Sequence, residues 1–214
     1  MRVAALYDVH GMVHALEAVL AEVDSDVVLF GGDVVAGPFP RETWDLAESL
    51  PNARFVRGNA EREPEAFVAE RLAPELLARM ADWPETVELD GVLYCHATPR
   101  SDLEIVTDAT ADEQLAEMLG GVDVSLVVGG HTHMQQRRGR YVNAGSVGMP
   151  YEGEVAAFWA LVVDGEPELR RTPFDVERAI AEIAASSWPP AAEFVEENLR
   201  RAATRAEAIA SFGG

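Results

Sequence analysis

The sequence predicts an α/β fold in which two mixed β-sheets pack against each other, and three observations carry that expectation. Short apolar runs alternate with amphipathic stretches in the first quarter of the chain, the βαβαβ order of a parallel sheet with crossover helices. Further on, strand-like runs follow one another across Asp-Gly pairs, which turn hairpins. Imidazole and carboxylate side chains recur where the apolar runs stop.

Residues 2–7 read as a short buried strand running into Asp8-Val9-His10-Gly11, and an amphipathic helix follows over about 12–23. Residues 27–30 are apolar throughout, as in a strand covered on both faces, and end in Gly31-Gly32-Asp33. Pro38 and Pro40 punctuate a loop before a helix over about 41–49. A third strand, 54–56, ends in Arg57-Gly58-Asn59. A helical pattern covers about 63–82, with Pro64 in its first turn and Pro74 as a break. Segments 86–89 and 92–96 flank Asp90-Gly91 as a hairpin. A helix over about 110–119 precedes an apolar strand at 124–128. Strands are expected at 141–143, 156–163 and 168–172, with Arg137-Arg138-Gly139-Arg140 as a hairpin turn and Asp164-Gly165 between the last two. This mixture of parallel and antiparallel strands fits two packed sheets. From Asp175 onward the pattern is helical, interrupted by Pro189-Pro190. Residues 175–214 are thus expected to form a helical tail on the domain built by 1–174. Its apolar residues Ile180, Ile183, Phe194, Leu199 and Ile209 suit either packing on the sandwich or a contact in a homo-oligomer.

Composition narrows the function. At 214 residues and 48% hydrophobic, the chain has enough apolar surface for one sizeable core. Its formal net charge is −20, and all 17 basic residues are arginines. That balance argues against stable nucleic-acid or anionic-membrane binding, which rewards basic patches. It also repels anionic substrates unless a local concentration of positive charge, such as metal ions, overcomes the global field. One cysteine, Cys95, excludes an internal disulfide and a thiolate metal cluster, and it should be buried and inert. No stretch approaches the ~20 apolar residues of a membrane span, and the first apolar run is too short for a signal-peptide core. The expectation is a cytoplasmic protein.

The placement of the histidines carries the chemistry. Of five, four stand at strand ends: His10, His96 and the pair His131-Thr132-His133, with Asp8, Asp33 and Asn59 in equivalent positions. Carboxyl ends of strands line the ligand crevice in open α/β sheets. In extended Asp-x-His and His-x-His segments, alternate side chains fall on one side and can grip one centre. Seven such oxygen and imidazole donors suit two divalent ions of borderline character, Mn, Fe, Ni, Co or Zn.

The series Asp8-Val9-His10-Gly11, Gly31-Gly32-Asp33, Gly58-Asn59, His96 and Gly129-Gly130-His131-Thr132-His133 resembles the calcineurin-like metallophosphoesterase superfamily. Asn143-Ala144-Gly145-Ser146-Val147-Gly148 is similar to its small bacterial and archaeal phosphodiesterases, and the Gly37-Pro38 loop to the diadenosine-tetraphosphatase-like branch. The resemblance runs from residue 1 to about 174. It implies the four-layer α/β/β/α metallophosphoesterase sandwich and two divalent metal ions, manganese first. It further implies that Asp8, His10, Asp33 and His133 hold one ion, while Asp33 bridges to a second held by Asn59, His96 and His131. A hydroxide bridging the ions attacks phosphorus in this family, so Asp8, Asp33, Asn59 and His96 count as catalytic through the metals. Two divalent ions outweigh the local carboxylates and keep such a site positive inside an acidic chain.

One departure from the family pattern bears on the substrate. Many members place His after the Gly-Asn pair; here the run is Gly58-Asn59-Ala60-Glu61. A poorly leaving monoester alkoxide suffers most from losing a general acid, so the expectation tilts to phosphodiesters of a small nucleotide type. The alternatives are a dinucleoside polyphosphate hydrolase, a phosphomonoesterase or protein phosphatase, and a non-catalytic scaffold that would have lost ligands. His14 is the one imidazole left to act as acid, against the plainer reading of a solvent-facing helix residue. Arg100 could clamp a substrate phosphate or pair with Asp102 or Glu104. Asn143 is expected to support the His131–His133 loop from behind, and Met12 stands where many relatives have Asn.

Overall fold

In the computed structural model, which describes residues 1–212, the expected βαβαβ run opens the chain. It consists of β1 (Arg2–Leu6), α1 (Val13–Glu22), β2 (Val27–Phe30), α2 (Pro40–Glu48) and β3 (Ala53–Phe55). The three strands pair in parallel, with Val3 opposite Val27 and Val28 opposite Ala53. Three short helices follow, α3 (Asn59–Arg62), α4 (Ala66–Ala69) and α5 (Pro74–Ala81), where a single helical pattern interrupted at Pro74 was expected. Pro64 and Pro74 each lack a backbone N–H and disfavour helix at the residue before them, which divides the segment.

A hairpin of β4 (Thr86–Leu89) and β5 (Val92–Cys95) comes next, then α6 (Asp112–Met118), β6 (Leu126–Gly129), β7 (Gln136–Arg138) and β8 (Tyr141–Asn143). β7 corrects the sequence reading, which placed Arg137 and Arg138 in a turn. Gln136-Arg137-Arg138 has no apolar alternation because β7 is an edge strand, and the turn itself narrows to Gly139-Arg140. β9 (Ala157–Val163) and β10 (Glu166–Thr172) form the last hairpin, before α7 (Val176–Ala185), α8 (Ala191–Phe194), a π-helical turn (Val195–Arg200) and α9 (Arg205–Phe212).

The strands make two five-stranded mixed sheets, in the orders β10-β9-β1-β2-β3 and β4-β5-β6-β8-β7. Alternation along β1 shows how they stack. Val3, Ala5 and Tyr7 face the second sheet, packing among Val92, Tyr94, Val128 and Val142. Ala4 and Leu6 face the other way, towards Leu16 of α1, Trp44 of α2, Ile183 of α7 and Phe194 of α8. On the far side of the second sheet, Leu93, Cys95 and Val127 pack against Leu115 and Met118 of α6. Burying each of these larger apolar side chains contributes about 1.5–3 kcal/mol before entropy is charged against it. The layers are therefore helix, sheet, sheet, helix. Ile183, Phe194 and Leu199 of the tail lie in the same buried cluster as β1, so these three pack on the first sheet. Among the described residues no helix is long and apolar enough to cross a membrane.

Candidate metal centre

The loops at the carboxyl ends of β1 and β2 are fastened to each other. Asp8 N–H donates to Gly32 O, His10 N–H to Asp33 O and Gly11 N–H to Val34 O, at 2.9–3.1 Å. In the second sheet the loops after β5 and β6 are fastened by Gly130 N–H to His96 O at 2.7 Å, and the two sheets meet where Gly148 N–H donates to Asp8 O at 3.1 Å. Glycine is required at the tightest approaches: a Cβ on Gly37 would lie 1.8 Å from His10 O, and one on Gly148 1.9 Å from Val9 O. These turns impose backbone strain. Among the described residues seven non-glycine residues have positive φ, and five are Asp8, His10, Asp33, His131 and His133. The other two, Asp90 and Asp164, open Asp-Gly hairpins. Each left-handed residue costs on the order of 1 kcal/mol or more, and such strain gathers at functional sites.

The side chains so aimed converge. His133 Nε2 lies 3.3 Å from Asp8 Oδ1, and the Nε2 atoms of His10 and His96 each lie 3.9 Å from it. Asp33 Oδ2 is 3.9 Å from His10 Nε2 and 3.7 Å from His96 Nε2. The Nε2 atoms of His10 and His133 approach to 3.1 Å. Asn59 Oδ1 lies 3.2 Å from His96 Nε2, and the His131 ring meets His96 edge-on at 5.1 Å between centroids. All seven sequence-predicted ligands are thus brought to one place. Two subsets, Asp8-His10-His133 and Asp8-Asp33-His96, have donor atoms close enough to share a cation.

The donor chemistry fits a metal. Asp8 Oδ1 is buried without a hydrogen-bond partner amid three imidazoles. His10, His96 and His133 each donate Nδ1–H to a backbone carbonyl, of Ala36, Gly31 and Met149 respectively, at 2.8–3.1 Å. A carbonyl only accepts, so the neutral tautomer carries its proton on Nδ1 and turns the Nε2 lone pair inward, as ligation requires. Imidazole with carboxylate and amide oxygen suits borderline divalent ions.

Electrostatics follow from this crowding. Burial alone would raise the Asp8 carboxyl, but the imidazoles of His133, His96 and His10 hold it well below the ordinary carboxylate range. Burial and the neighbouring His133 lower His10. His131 is pushed down to about 4 by burial and by His96. Burial also lowers the His96 imidazole, yet Asp33 and Asp8 beside it outweigh that and raise it.

The surrounding residues sort clearly. Asn143, fully buried, donates Nδ2–H to Gly130 O at 2.6 Å and to Thr132 Oγ1 at 3.0 Å, holding the His131–His133 loop from behind. Ser146 donates its hydroxyl to Asp8 O at 2.7 Å and accepts from Met149 N–H at 2.8 Å. Cys95 is buried in an apolar setting that pushes its thiol pKa up. At Ala60, only a backbone N–H reaches the centre, donating to Asp33 Oδ1 at 2.9 Å. His14 is not solvent-facing, as one reading of the sequence had it. It is 4% exposed, and its Nε2 lies 2.9 Å from Glu182 Oε2 on the tail helix α7. Arg100 is partly exposed and paired with Glu104 at 2.8 Å, beside a cleft bordered by His96.

Two residues have roles that the sequence did not assign them. Glu61 is buried and accepts from the N–H groups of Asp33, Val34 and Gly58 at 2.7–2.9 Å, so it is the clamp that shapes both the Asp33 and Asn59 turns. Burial and the Asp33 charge push its carboxyl up to about 7. Its position three residues after Gly58, at a helix start, was the available signal. Tyr151 stacks on His133 at 5.0 Å, with no local signal in the sequence.

With two sheets, strand-end donors and a carboxylate–imidazole cluster in place, the family match gives the class, a metal-dependent phosphoesterase. A model of the calcineurin-like phosphoesterase superfamily domain matches residues 1–166, and the chain belongs to that family. None of the curated proteins searched matches it. Among solved structures, it is similar to a metallophosphoesterase from Sphaerobacter thermophilus, with a TM-score of 0.74 and 24% identity over 86% of this chain and 94% of that one. A hypothetical protein from Pyrococcus horikoshii OT3 gives a TM-score of 0.77 and 18% identity, covering 95% of this chain and 99% of that one. A protein serine/threonine phosphatase from Saccharomyces cerevisiae gives a TM-score of 0.54 and 13% identity over 82% and 80%. At such identities these structures show the fold alone.

Proposed function

We infer that the chain hydrolyses phosphodiesters of small, nucleotide-type substrates in the cytoplasm, using two divalent ions with manganese as the first choice. Asp8, His10, Asp33 and His133 would hold one ion, and Asn59, His96 and His131 the other, with Asp33 shared. When bound, the ions supply Lewis acidity towards phosphate oxygens and lower the pKa of water. The chain's own work is orientation. The carbonyls of Ala36, Gly31 and Met149 fix three imidazoles, and Glu61 and Ala60 N–H fix Asp33.

The observation that carries the preference for diesters is the fate of the imidazoles. Four of the five belong to the cluster, and the fifth, His14, is bonded to Glu182. None remains to protonate a poor leaving group, a contribution typically worth about 10²–10⁴-fold. The test is the manganese-supplemented rate on bis-p-nitrophenyl phosphate against p-nitrophenyl phosphate. The diester is expected to be turned over at least about tenfold more efficiently; preference for the monoester overturns the reading. A dinucleoside polyphosphate, whose leaving phosphate needs no acid, satisfies the same observation. A protein phosphatase, whose alkoxide leaves poorly, does not, and a scaffold without turnover would be expected to have lost some of the seven donors.

A further inference from the structure

The cleft bordered by His96 gathers three arginines from two loops, each held by neighbouring carboxylates. It holds about 190 Å³, and its lining includes Arg57, Arg62 and Arg100 together with Glu85 and Asp102, which pair with the first two. Three guanidiniums thus meet beside a ligand imidazole in a chain of formal charge −20. Arg57 and Arg62 flank the Asn59 turn, while Arg100 lies on the loop after β5, so both walls carry them.

Each guanidinium is braced by acids but not used up by them. Arg62 donates Nε–H and Nη2–H to Asp102 at 2.9 and 3.4 Å, and Nη1–H to Glu63 at 2.6 Å. Arg100 donates to Glu104 at 2.8 Å and Glu117 at 3.3 Å. Arg57 donates to Ala81 O at 3.1 Å and Glu85 at 2.5 Å, and its buried Nε–H makes no hydrogen bond. A guanidinium has five N–H groups in a fixed fork, so every one of the three keeps donors for an incoming anion. Ion pairs of this kind hold the forks in place and reduce the entropy lost when a ligand binds.

We propose that this cleft is a second phosphate subsite, and that the substrate carries another phosphate beside the one hydrolysed. The proposal rests on the diesterase reading above and deepens it. An ester with its scissile phosphate at the metal cluster extends past His96 over the cleft. There the arginines receive a further dianion by charge-assisted, fork-shaped hydrogen bonds.

The test uses the manganese-loaded enzyme and two substrates with the same leaving group. One is thymidine 5′-(p-nitrophenyl phosphate); the other is the same ester carrying a 3′-phosphate. The added phosphate is expected to lower KM about tenfold or more, with a smaller change in kcat, and the advantage shrinks as salt is raised. In the double variant Arg57→Met, Arg100→Met the two KM values draw together, while Arg62 is left in place because it ties the two loops through Asp102. Equal KM values in the native protein, or an advantage that survives the double variant, overturns the subsite. If neither ester is hydrolysed, the diesterase reading fails and the subsite is judged by calorimetry. Thymidine 3′,5′-bisphosphate is then expected to bind about tenfold or more tightly than thymidine 5′-monophosphate in the native protein alone, and equal affinities overturn it.

Discussion

The two poles of the candidate metal centre are built differently. At the pole of His10 and His133, both rings are pinned through Nδ1 to backbone carbonyls, and His133 is backed by the Tyr151 ring. At the other pole, His96 is pinned in the same way to Gly31 O, but the His131 ring makes no such bond among the described residues. Its tether is the backbone N–H donated to Asp8 Oδ2 at 2.8 Å. Asn59 sits at the start of a four-residue helix, and this looser pole adjoins the arginine cleft. The difference teaches where order is made in advance. Backbone carbonyls fix both rings at the pole of His10 and His133, and at the pole beside the cleft they fix His96 but, among the described residues, not His131.

Asp33 belongs to both poles, so removing its charge is the harshest test. Asp33→Asn should lower kcat/KM for bis-p-nitrophenyl phosphate by roughly 10³-fold or more and reduce bound manganese from two ions per chain. Retention of both ions would show that the poles do not share that carboxylate. A smaller effect separates them. Calorimetric titration of the metal-free protein with manganese should resolve a tight and a weak class, about tenfold or more apart, because partners behind a ligand change affinity about 10–100-fold. His131→Ala should remove only the weak class and His133→Ala the tight one. A single class in the native protein, or the reverse assignment, breaks the comparison.

The strand-end positions were legible because their signals are local: an apolar run, then Gly and an imidazole or carboxylate. Asp8, His10, Asp33, His96, His131 and His133 could each be found that way. What completed the site was less visible. The acceptors on the far side of the imidazoles are backbone carbonyls of Ala36, Gly31 and Met149, and a carbonyl has no sequence signature. Tyr151 reaches His133 only because the chain after β8 returns over the His131–His133 loop, where Tyr151 N–H donates to His133 O at 3.1 Å. The edge strand β7 was missed because it lacks apolar alternation; in the 63–82 segment the break at Pro74 was read, and only the further division at Pro64 was not.

His14 gives the mildest test, and it decides whether the cluster works with its own imidazoles alone. The ring stands edge-on to Phe39 at 5.3 Å between centroids and bonds Glu182, which also receives Arg178 Nε–H at 2.9 Å. Arg178 in turn donates to Glu17 at 3.1 Å, so the group ties α1 to α7. Losing a packed, hydrogen-bonded ring should therefore act on stability. His14→Ala is expected to lower Tm by about 3–6 °C and to leave diester turnover within about twofold, measured well below the new Tm. The manganese content should stay the same, since His14 Nε2 faces Glu182. A loss of turnover beyond about tenfold at full metal content would make His14 the missing acid. The pole of His10 would then extend into α1, and the preference for diesters would lose its ground.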